Sequence, residues 1–351
     1  MNRELVALLD NRADAELTTL RSAGFQVLQE TPLPALQTRA LLLRTPLGLR
    51  EEEALSLAES LAPSAVIDAN TLYQPSGVGC EGACWGAELV ALRETPQEAC
   101  GAAPIAMIDT AIDLSHPTLR DAKISTRSFV TEEAARQAEH GTAIAALLVG
   151  ESAPGARPLV PGAQLLAAEV FEDRSGALIS DTFVVLQGLN WSLSQQAGVI
   201  AMSLEGPPNT ALGLAVRRSA ERANLVAAAG NGGAGGRPAY PAAYPEVIAV
   251  SAVDERLRPY RKGTRGAYIE IAAPGVDIVS AGSAGGRKAW SGTSVAVPFV
   301  AAALMRARFA TDGSPVAARQ LLQTKALDLG PAGRDDLFGF GLLQVPAAGC
   351  R

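Results

Sequence analysis

Three polar residues stand at positions where side chains often do chemistry. Asp109 ends the short apolar run Ile105–Ile108, and a carboxylate at the end of a buried parallel strand lies where such sheets place their sites. His140 opens a His-Gly-Thr motif before a small apolar stretch, and Ser294 lies between Gly-Thr and a second apolar stretch. A carboxylate, an imidazole and a hydroxyl are the groups that make up an activated serine nucleophile.

Each of these residues also has an ordinary structural explanation. Asp109 and Ser294 are suitable caps for a helix or turn, and His140 alone would be a satisfied structural histidine. The chain has two histidines, so a mechanism that needs an imidazole must use His140 or His116. Asp, His and Ser follow one another in one of three chain orders known for hydrolase triads, which favours a common role.

A glycine-rich patch at residues 230–236 offers a different chemistry. Gly230, Gly232 and Gly235 form a G-x-G-x-x-G pattern. This pattern binds a dinucleotide pyrophosphate when it opens a helix. Three prolines follow between residues 238 and 245, and prolines there do not make a helix. The nucleotide-binding hypothesis is therefore disfavoured.

Residues 104–351 contain elements that can position a site. Short apolar runs, typical of buried parallel strands, alternate with helical stretches. This alternation predicts an α/β domain with a doubly wound, mostly parallel central sheet. The strand candidates are Ile105–Ile108, Leu165–Val170, Val199–Ser203, Asn224–Ala229 and Val247–Ala252, and the helix candidates include His140–Leu148 and Asp181–Gln195.

Residues 1–73 have a different pattern. They predict strands at 4–9, 25–28, 38–43 and 65–68 and helices at 13–23 and 49–61, with Pro32 and Pro34 in the turn between the second and third strands. The order βαββαβ predicts a small α+β ferredoxin-like domain. Residues 74–103 are predicted to form a connector.

Four cysteines, Cys80, Cys84, Cys100 and Cys350, allow three disulfide pairings, between which the sequence does not choose. Disulfides are favoured and would indicate an oxidising compartment. Reduced thiols and a zinc site remain alternatives, although the spacing is not that of a zinc finger.

The charge and hydropathy of the chain exclude several classes of partner. With 30 basic and 36 acidic residues the net charge is −6, which argues against nucleic acid as a partner. No apolar run reaches the roughly 18 residues of a membrane span. The N-terminus has no apolar signal core, so the expected location is secreted or periplasmic with a leader outside this chain, or cytoplasmic.

Taken in order, six motifs over roughly residues 104–347 resemble the subtilisin-like serine protease (subtilase) family. They are Ile108-Asp109-Thr110-Ala111-Ile112-Asp113, His140-Gly141-Thr142, Met202-Ser203-Leu204, Ala227-Ala228-Ala229-Gly230-Asn231, Tyr240-Pro241-Ala242-Ala243-Tyr244-Pro245 and Gly292-Thr293-Ser294-x-Ala296-x-Pro298.

The resemblance implies a serine endopeptidase that acts on polypeptides and needs no cofactor. Ser294 matches the nucleophile, His140 the general base and Asp109 the carboxylate that orients the imidazole. Asn231 and the Ser294 backbone N–H match the oxyanion hole. His116 is expected to be structural. A catalytically inactive subtilase fold that serves as a binding module is the alternative.

The resemblance also assigns the residues that flank the substrate. These are Ser203, Leu204, Glu205, Gly206, Ala228 and Gly230. Glu205 departs from the family, which usually has glycine there; its carboxylate either faces the substrate and favours a basic side chain, or points to solvent. Residues 151–158 lack the Asn-rich calcium loop of secreted subtilisins, so no metal is predicted.

The N-terminal unit resembles the prodomain of subtilases, which assists folding and then inhibits the enzyme in cis or in trans. Residues 1–73 have its size, order and position. The predicted tail that lies in the cleft is Ala69–Tyr73, and cleavage is expected close after Tyr73.

Overall fold

The structure is a computed structural model, and it describes residues 3–10, 13–75, 78–80, 86, 90, 103–130, 137–151 and 158–345. Within these residues the chain forms an N-terminal α+β unit and a larger α/β domain, as the sequence predicts.

The N-terminal unit has the ferredoxin-like order. Its elements are β1 (Glu4–Leu9), α1 (Asp14–Ser22), β2 (Gln26–Leu33), β3 (Thr38–Arg44), α2 (Glu51–Leu61) and β4 (Val66–Ala69). The strands form an antiparallel sheet in the order β2-β3-β1-β4, which confirms the predicted βαββαβ fold. Leucines and alanines from both helices and one face of the sheet form a core of their own.

The prediction of a turn at both Pro32 and Pro34 is wrong for Pro32. That residue lies inside β2, opposite Arg39, while Pro34 begins a short 3₁₀ turn. Because β2 is an edge strand of this sheet, a proline there need not remove a ladder hydrogen bond. A proline therefore did not mark the end of the strand.

The larger domain begins with strands that also belong to the predicted connector. Its elements are β5 (Leu72–Pro75), β6 (Val78–Cys80), β7 (Ile105–Asp109), β8 (Lys123–Ser128), α3 (Glu139–Val149), β9 (Gln164–Glu169), β10 (Glu172–Arg174), β11 (Ala177–Asp181), α4 (Thr182–Ser194), β12 (Val199–Met202), β13 (Leu204–Glu205), α5 (Thr210–Ala220), β14 (Asn224–Ala228), β15 (Val247–Val253), β16 (Ile271–Pro274), β17 (Ile278–Ala281), β18 (Arg287–Ser291), α6 (Thr293–Ala310) and α7 (Pro315–Lys325).

The central sheet of the described chain is parallel and has the order β16-β15-β14-β12-β7-β9-β8. From β7 the chain builds the sheet first in one direction, through β8 and β9, and then in the other. The strand order thus reverses at β7, and the carboxyl ends of strands at such a switch point form a crevice. This is the doubly wound sheet that the sequence predicts.

Helices cover both faces of this sheet. Along β7, Ile105 and Met107 contribute to one core, whereas Ala106 and Ile108 contribute to the other. The first core contains α3, α6 and α7, and the second contains α4 and α5. Burial on both faces is the reason why these strands read as continuous apolar runs.

The helix α6 is long and apolar enough to cross a membrane by length and composition, but 78% of that stretch is buried inside the domain. It is the core helix on one face of the sheet. Among the described residues α6 is the one helix that passes this test.

The sheet of the N-terminal unit packs its second face against α4 and α5. Val6, Leu8, Leu33 and Leu36 share a core with those helices. The strand β4 adds polar contacts: the Asp68 carboxylate accepts hydrogen bonds from the backbone N–H (2.7 Å) and hydroxyl (3.0 Å) of Thr210, the first residue of α5. These contacts hold the start of β5 beside the larger domain.

Of the predicted connector, 74–103, the structure describes short pieces that include the strands β5 and β6. The proposed disulfides fall almost wholly outside the described residues: Cys84, Cys100 and Cys350 are not described, and for Cys80 only the backbone is.

Candidate active site

Asp109 is the last residue of β7, at the point where the strand order of the central sheet reverses. Its side chain is 1% exposed, and its Oδ1 accepts the backbone N–H of Thr110 at 2.6 Å. A carboxylate buried this deeply needs hydrogen-bond donors around it, and the turn after the strand supplies one. The fold therefore fixes the carboxylate at the carboxyl edge of the sheet.

His140 lies in the first turn of α3, and the rest of its motif explains how it reaches Asp109. A Cβ on Gly141 would come within 2.4 Å of the carbonyl oxygen of Ala111, so only glycine permits this close approach of the helix. The Gly141 N–H donates to the Thr110 hydroxyl (2.8 Å), and the Thr142 hydroxyl accepts the N–H of Asp113 (2.8 Å). His-Gly-Thr thus joins α3 to the loop after β7.

Ser294 is the second residue of α6, and Pro298 lies inside the same helix, beyond its first turn. Pro298 has no N–H to donate to the Ser294 carbonyl four residues earlier. The Ser294 N–H itself is among the first N–H groups of the helix, which have no partner within the helix.

The three side chains form one hydrogen-bonded chain. His140 Nδ1 lies 2.7 Å from Asp109 Oδ1, and His140 Nε2 lies 3.1 Å from Ser294 Oγ. Because the carboxylate can only accept, Nδ1 carries the proton, and Nε2 is left to accept the Ser294 hydroxyl. Trp290 packs its ring edge-on against the imidazole, with 5.8 Å between centroids.

Asn231 lies beside this chain near the start of the loop after β14. Its Oδ1 accepts hydrogen bonds from the backbone N–H (3.1 Å) and the hydroxyl (3.2 Å) of Thr293. These bonds fix which end of the amide is the carbonyl, and the other end is the N–H₂ donor. The Thr293 hydroxyl also accepts the N–H of Gly230 at 3.1 Å, so Thr293 joins the start of α6 to the loop after β14.

The segment predicted to flank a substrate already has a strand beside it. In β13, Leu204 pairs with Pro75 and Glu205 pairs with Gln74, in antiparallel register. On its other edge β5 pairs with β11, so the local sheet has the order β10-β11-β5-β13. Residues 72–75 therefore lie along β13 as an added strand, the way that extended peptides bind sheet edges.

Tyr73 is the most buried part of this added strand. Its side chain is 1% exposed, and a Cβ on Gly206 would come within 2.4 Å of its ring. Burial raises the pKa of the Tyr73 phenol well above its ordinary value. Glycine at 206 therefore leaves room for an aromatic ring.

The remaining predicted residues lie around the same crevice. The Ser203 N–H donates to the Ile108 carbonyl next to Asp109, and Ala228 ends β14. Gly230 has φ of +100°, and a Cβ there would lie 2.8 Å from the Ala239 side chain. The Glu205 carboxylate faces the crevice, where its Oε2 accepts the Asn231 N–H at 2.9 Å. Of the two alternatives for Glu205, this contact favours a carboxylate held at the crevice over one that points to solvent.

His116 lies apart from this arrangement. Its Nε2 donates to the Gly286 carbonyl (3.0 Å), and its Nδ1 accepts the backbone N–H of Thr118 (3.3 Å). Nδ1 thus caps the turn that His116 begins, and Nε2 joins this turn to the loop at Gly286. No role was predicted for Thr293 or Trp290. Thr293 belongs to the Gly-Thr-Ser motif, and that membership was the signal by which it could have been found.

No group of three or more histidine, cysteine, aspartate or glutamate side chains among the described residues could hold a metal ion. Most of the segment 151–158, where no calcium was predicted, is outside the described residues.

Comparison with known proteins identifies the family. The sequence model described as the subtilase family matches residues 102–341, which is more than half of the chain. The chain belongs to the subtilase family. The match includes Asp109, His140, Asn231 and Ser294.

Individual subtilases agree with this assignment. The chain is 35% identical over 252 residues to the minor extracellular protease Epr of Bacillus subtilis (69% of this chain, 38% of that protein). It is 34% identical over 255 residues to subtilisin E of the same organism (70% and 65%) and to subtilisin of Bacillus pumilus (70% and 90%). The chain thus spans less than two thirds of the length of Epr and subtilisin E.

A solved subtilase-related structure shares the fold. The structure of fervidolysin from Fervidobacterium pennivorans, described as a keratinolytic enzyme related to subtilisin, superposes with a TM-score of 0.80 at 20% identity. The similarity covers 97% of this chain, including the N-terminal unit, and 60% of that chain.

Proposed function

We propose that this chain is a serine endopeptidase that hydrolyses peptide bonds through an acyl-enzyme at Ser294. The observation that carries the proposal is the hydrogen-bonded chain from Asp109 Oδ1 through His140 to Ser294 Oγ, with distances of 2.7 and 3.1 Å. Family membership supports the same reaction.

The proton path follows from the hydrogen bonds. His140 Nε2 takes the hydroxyl proton as Ser294 Oγ attacks the substrate carbonyl carbon, and the imidazolium formed is stabilised by the Asp109 carboxylate. The C–N bond then breaks, and Nε2 returns the proton to the leaving amine. Water attacks the ester in the second half of the cycle, with His140 again accepting and then returning a proton.

The oxyanion of each tetrahedral intermediate needs fixed donors. The Asn231 side-chain N–H₂ and the Ser294 backbone N–H are proposed to supply them. Thr293 holds the Asn231 amide in orientation before the substrate arrives, so no reorganisation is needed as charge develops. Such preorganisation is a major source of enzymatic rate enhancement.

Polypeptide is proposed as the substrate because β13 binds extended backbone. The pairing of β5 with β13 supports a substrate strand in the same place, flanked by Ser203, Leu204, Glu205 and Gly206 on one side. Ala228 and Gly230, at the end of β14, complete the proposed substrate-binding set. We propose no cofactor or metal for this reaction.

Residues 1–73 are proposed to act as a prodomain that inhibits the enzyme in cis and, after cleavage, in trans. The occupation of the β13 edge by β5 supports inhibition, because a substrate needs the same edge. Within the expected region close after Tyr73, the register favours a bond a few residues further along the chain. Tyr73 lies opposite Ser180 and beside Gly206, so it is removed from Ser203 along the strand.

The bond that is cut is better sought between Pro75 and Val78. The strand β5 runs along β13 toward Ser203, and Val78 of β6 pairs with Ser291, three residues before Ser294. One strand thus runs toward Ser203 and the other pairs with the segment before Ser294, which supports a cut between them.

Labelling with a fluorophosphonate tests the reaction, since this reagent modifies a serine only when it is activated as a nucleophile. We expect a single adduct on Ser294 in the wild-type chain and none in Ser294→Ala, with circular dichroism showing that the variant folds. A folded wild-type chain that takes up no reagent and hydrolyses no peptide would instead be an inactive subtilase fold, that is, a binding module.

Secretion with disulfide-bonded cysteines is proposed for the location of the protein. Support comes from the even number of cysteines and from the relative named as an extracellular protease. The intact mass of the protein before and after alkylation without reductant tests this, because four free thiols would all react.

A further inference from the structure

The subtilase assignment leaves Glu205 unexplained, since this position usually holds glycine in the family. Its carboxylate bridges two partners. Oε2 accepts the backbone N–H of Asn231 at 2.9 Å, and Oε1 accepts the side-chain amide of Gln74 at 3.0 Å. Asn231 belongs to the protein's own framework, whereas Gln74 belongs to the strand that occupies the substrate position.

The framework contact holds the carboxylate in place. A Cβ on Gly230 would lie 3.0 Å from Glu205 Oε2, so glycine at 230 leaves the space that the carboxylate needs. A side chain anchored through one oxygen loses less conformational freedom when a ligand reaches the other oxygen. Oε1 is thereby presented toward the strand beside β13 before a substrate binds.

The strand register decides which substrate side chain meets Oε1. Gln74 lies directly opposite Glu205 in the antiparallel pair, and directly opposed residues have side chains on the same face of a sheet. The contact is therefore set by the backbone pairing and would recur for any peptide that binds in this register. The preceding residue of such a peptide occupies the place of Tyr73.

We propose that Glu205 is a specificity-determining residue, which selects a substrate side chain that donates hydrogen bonds or carries positive charge at the position of Gln74. Glutamine, lysine and arginine fit this description, and glutamate and aspartate are rejected by like charge. This inference rests on the proposed endopeptidase activity and names a feature of its substrates.

Competition between peptides in a single reaction tests the proposed role of Glu205. The peptides copy residues 71–79 with lysine, glutamate or methionine in place of Gln74, and they are mixed in one reaction with the full chain. The ratio of consumption measured by mass spectrometry equals the ratio of kcat/KM values. A segment of the chain that occupies the cleft slows all peptides by the same factor, so the ratio does not depend on it.

We expect the lysine peptide to be consumed about tenfold faster than the glutamate peptide. This is the size of effect expected when a charge opposite to that of Glu205 is replaced by a like charge at a partly exposed site. In Glu205→Gln, which keeps the shape and the acceptor for Asn231, the ratio should fall below about threefold. Glu221→Gln, an exposed residue at the end of α5, is the matched control and should keep the wild-type ratio.

Three outcomes overturn the inference. A wild-type enzyme that consumes both peptides at equal rates has no selectivity for the side chain at the position of Gln74. If the ratio of lysine-peptide to glutamate-peptide consumption is unchanged in Glu205→Gln, another group discriminates between these side chains. Glu205 then only stabilises the loop at Asn231. A chain that takes up no fluorophosphonate and consumes no peptide overturns the endopeptidase proposal, and this inference with it; uptake of reagent without selectivity overturns the inference alone.

Discussion

At the scale of single residues, the two histidines of the chain are both buried and both hydrogen-bonded, yet their partners differ. His140 lies between a carboxylate and a hydroxyl, whereas His116 lies between a backbone carbonyl and a backbone N–H. A proton can pass through the first pair of partners during a reaction, and the second pair only holds loops together. This difference predicts that replacement by alanine affects turnover at His140 and stability at His116.

His140→Ala should lower kcat by about 10⁶-fold, a magnitude measured on subtilisin, which belongs to the same family. Because the serine and histidine act as a unit, the double variant His140→Ala/Ser294→Ala should be no slower than either single variant. The measurement is peptide hydrolysis at saturating substrate, with folding checked by circular dichroism.

His116→Ala is the matched control. It leaves the N–H of the buried Thr118 without its acceptor, so it should lower the free energy of unfolding by about 1–3 kcal/mol while changing turnover little per folded molecule. If His116→Ala slowed hydrolysis as much as His140→Ala, the choice of His140 as the general base would be wrong.

The residue types in the arrangement could be predicted from the sequence, but several of their contacts could not. Asp109, His140 and Ser294 follow from their positions at a strand end and two helix starts and from their order in the chain. The target of Glu205 depends on the register of β5 against β13, and a two-residue strand such as Leu204–Glu205 has no detectable periodicity. The sequence therefore left its direction open.

At the scale of elements, the ends of strands and helices meet at one edge of the sheet. β7 supplies the carboxylate, and the first turns of α3 and α6 supply the imidazole and the hydroxyl. Long buried strands and helices were predictable because their apolar patterns extend over many residues. The hairpin β10–β11 and the strands β5 and β6 were not, since each is three to five residues long and lacks such a pattern.

The first turn of α5 is held by a side chain of the N-terminal unit. Asp68 accepts the backbone N–H and hydroxyl of Thr210 there, and so joins the N-terminal unit to the larger domain. Asp68→Ala in the Ser294→Ala chain should lower the free energy of unfolding by about 0.5–2 kcal/mol, the usual cost of losing a helix cap. Thermal and urea unfolding of the full chain would measure this.

Asp68→Asn separates the hydrogen bond from the charge. It keeps an acceptor for Thr210 and should lose only the attraction between a negative charge and the helix N-terminus, about 0.3–1 kcal/mol. Glu59→Ala, which removes an exposed carboxylate on α2 of the same unit, is the control and should leave stability nearly unchanged. Equal effects of Asp68→Ala and Glu59→Ala would rule out a role for the cap.

At the scale of the whole molecule, the N-terminal unit and the larger domain share apolar surface. One face of the N-terminal sheet covers its own helices, and the other contributes to the core around α4 and α5. Separation of the unit would expose that second face to water, which is unfavourable in proportion to its area. The unit should therefore stay bound after the chain is cut, as inhibition in trans requires.

Cleavage between the N-terminal unit and the larger domain should depend on Ser294. Purified wild-type chain should convert to two fragments, the smaller about 8 kDa, which is the share of 36.2 kDa that roughly 76 of 351 residues represent. Sequencing should place the new N-terminus within residues 76–78, because β5 runs along β13 toward Ser203 and Val78 of β6 pairs with Ser291. Ser294→Ala should remain one chain, and both fragments of the wild type should elute together in gel filtration. An N-terminus at Gln74 would contradict the argument from the register, and an active enzyme that still begins at Met1 would make residues 1–73 a permanent domain.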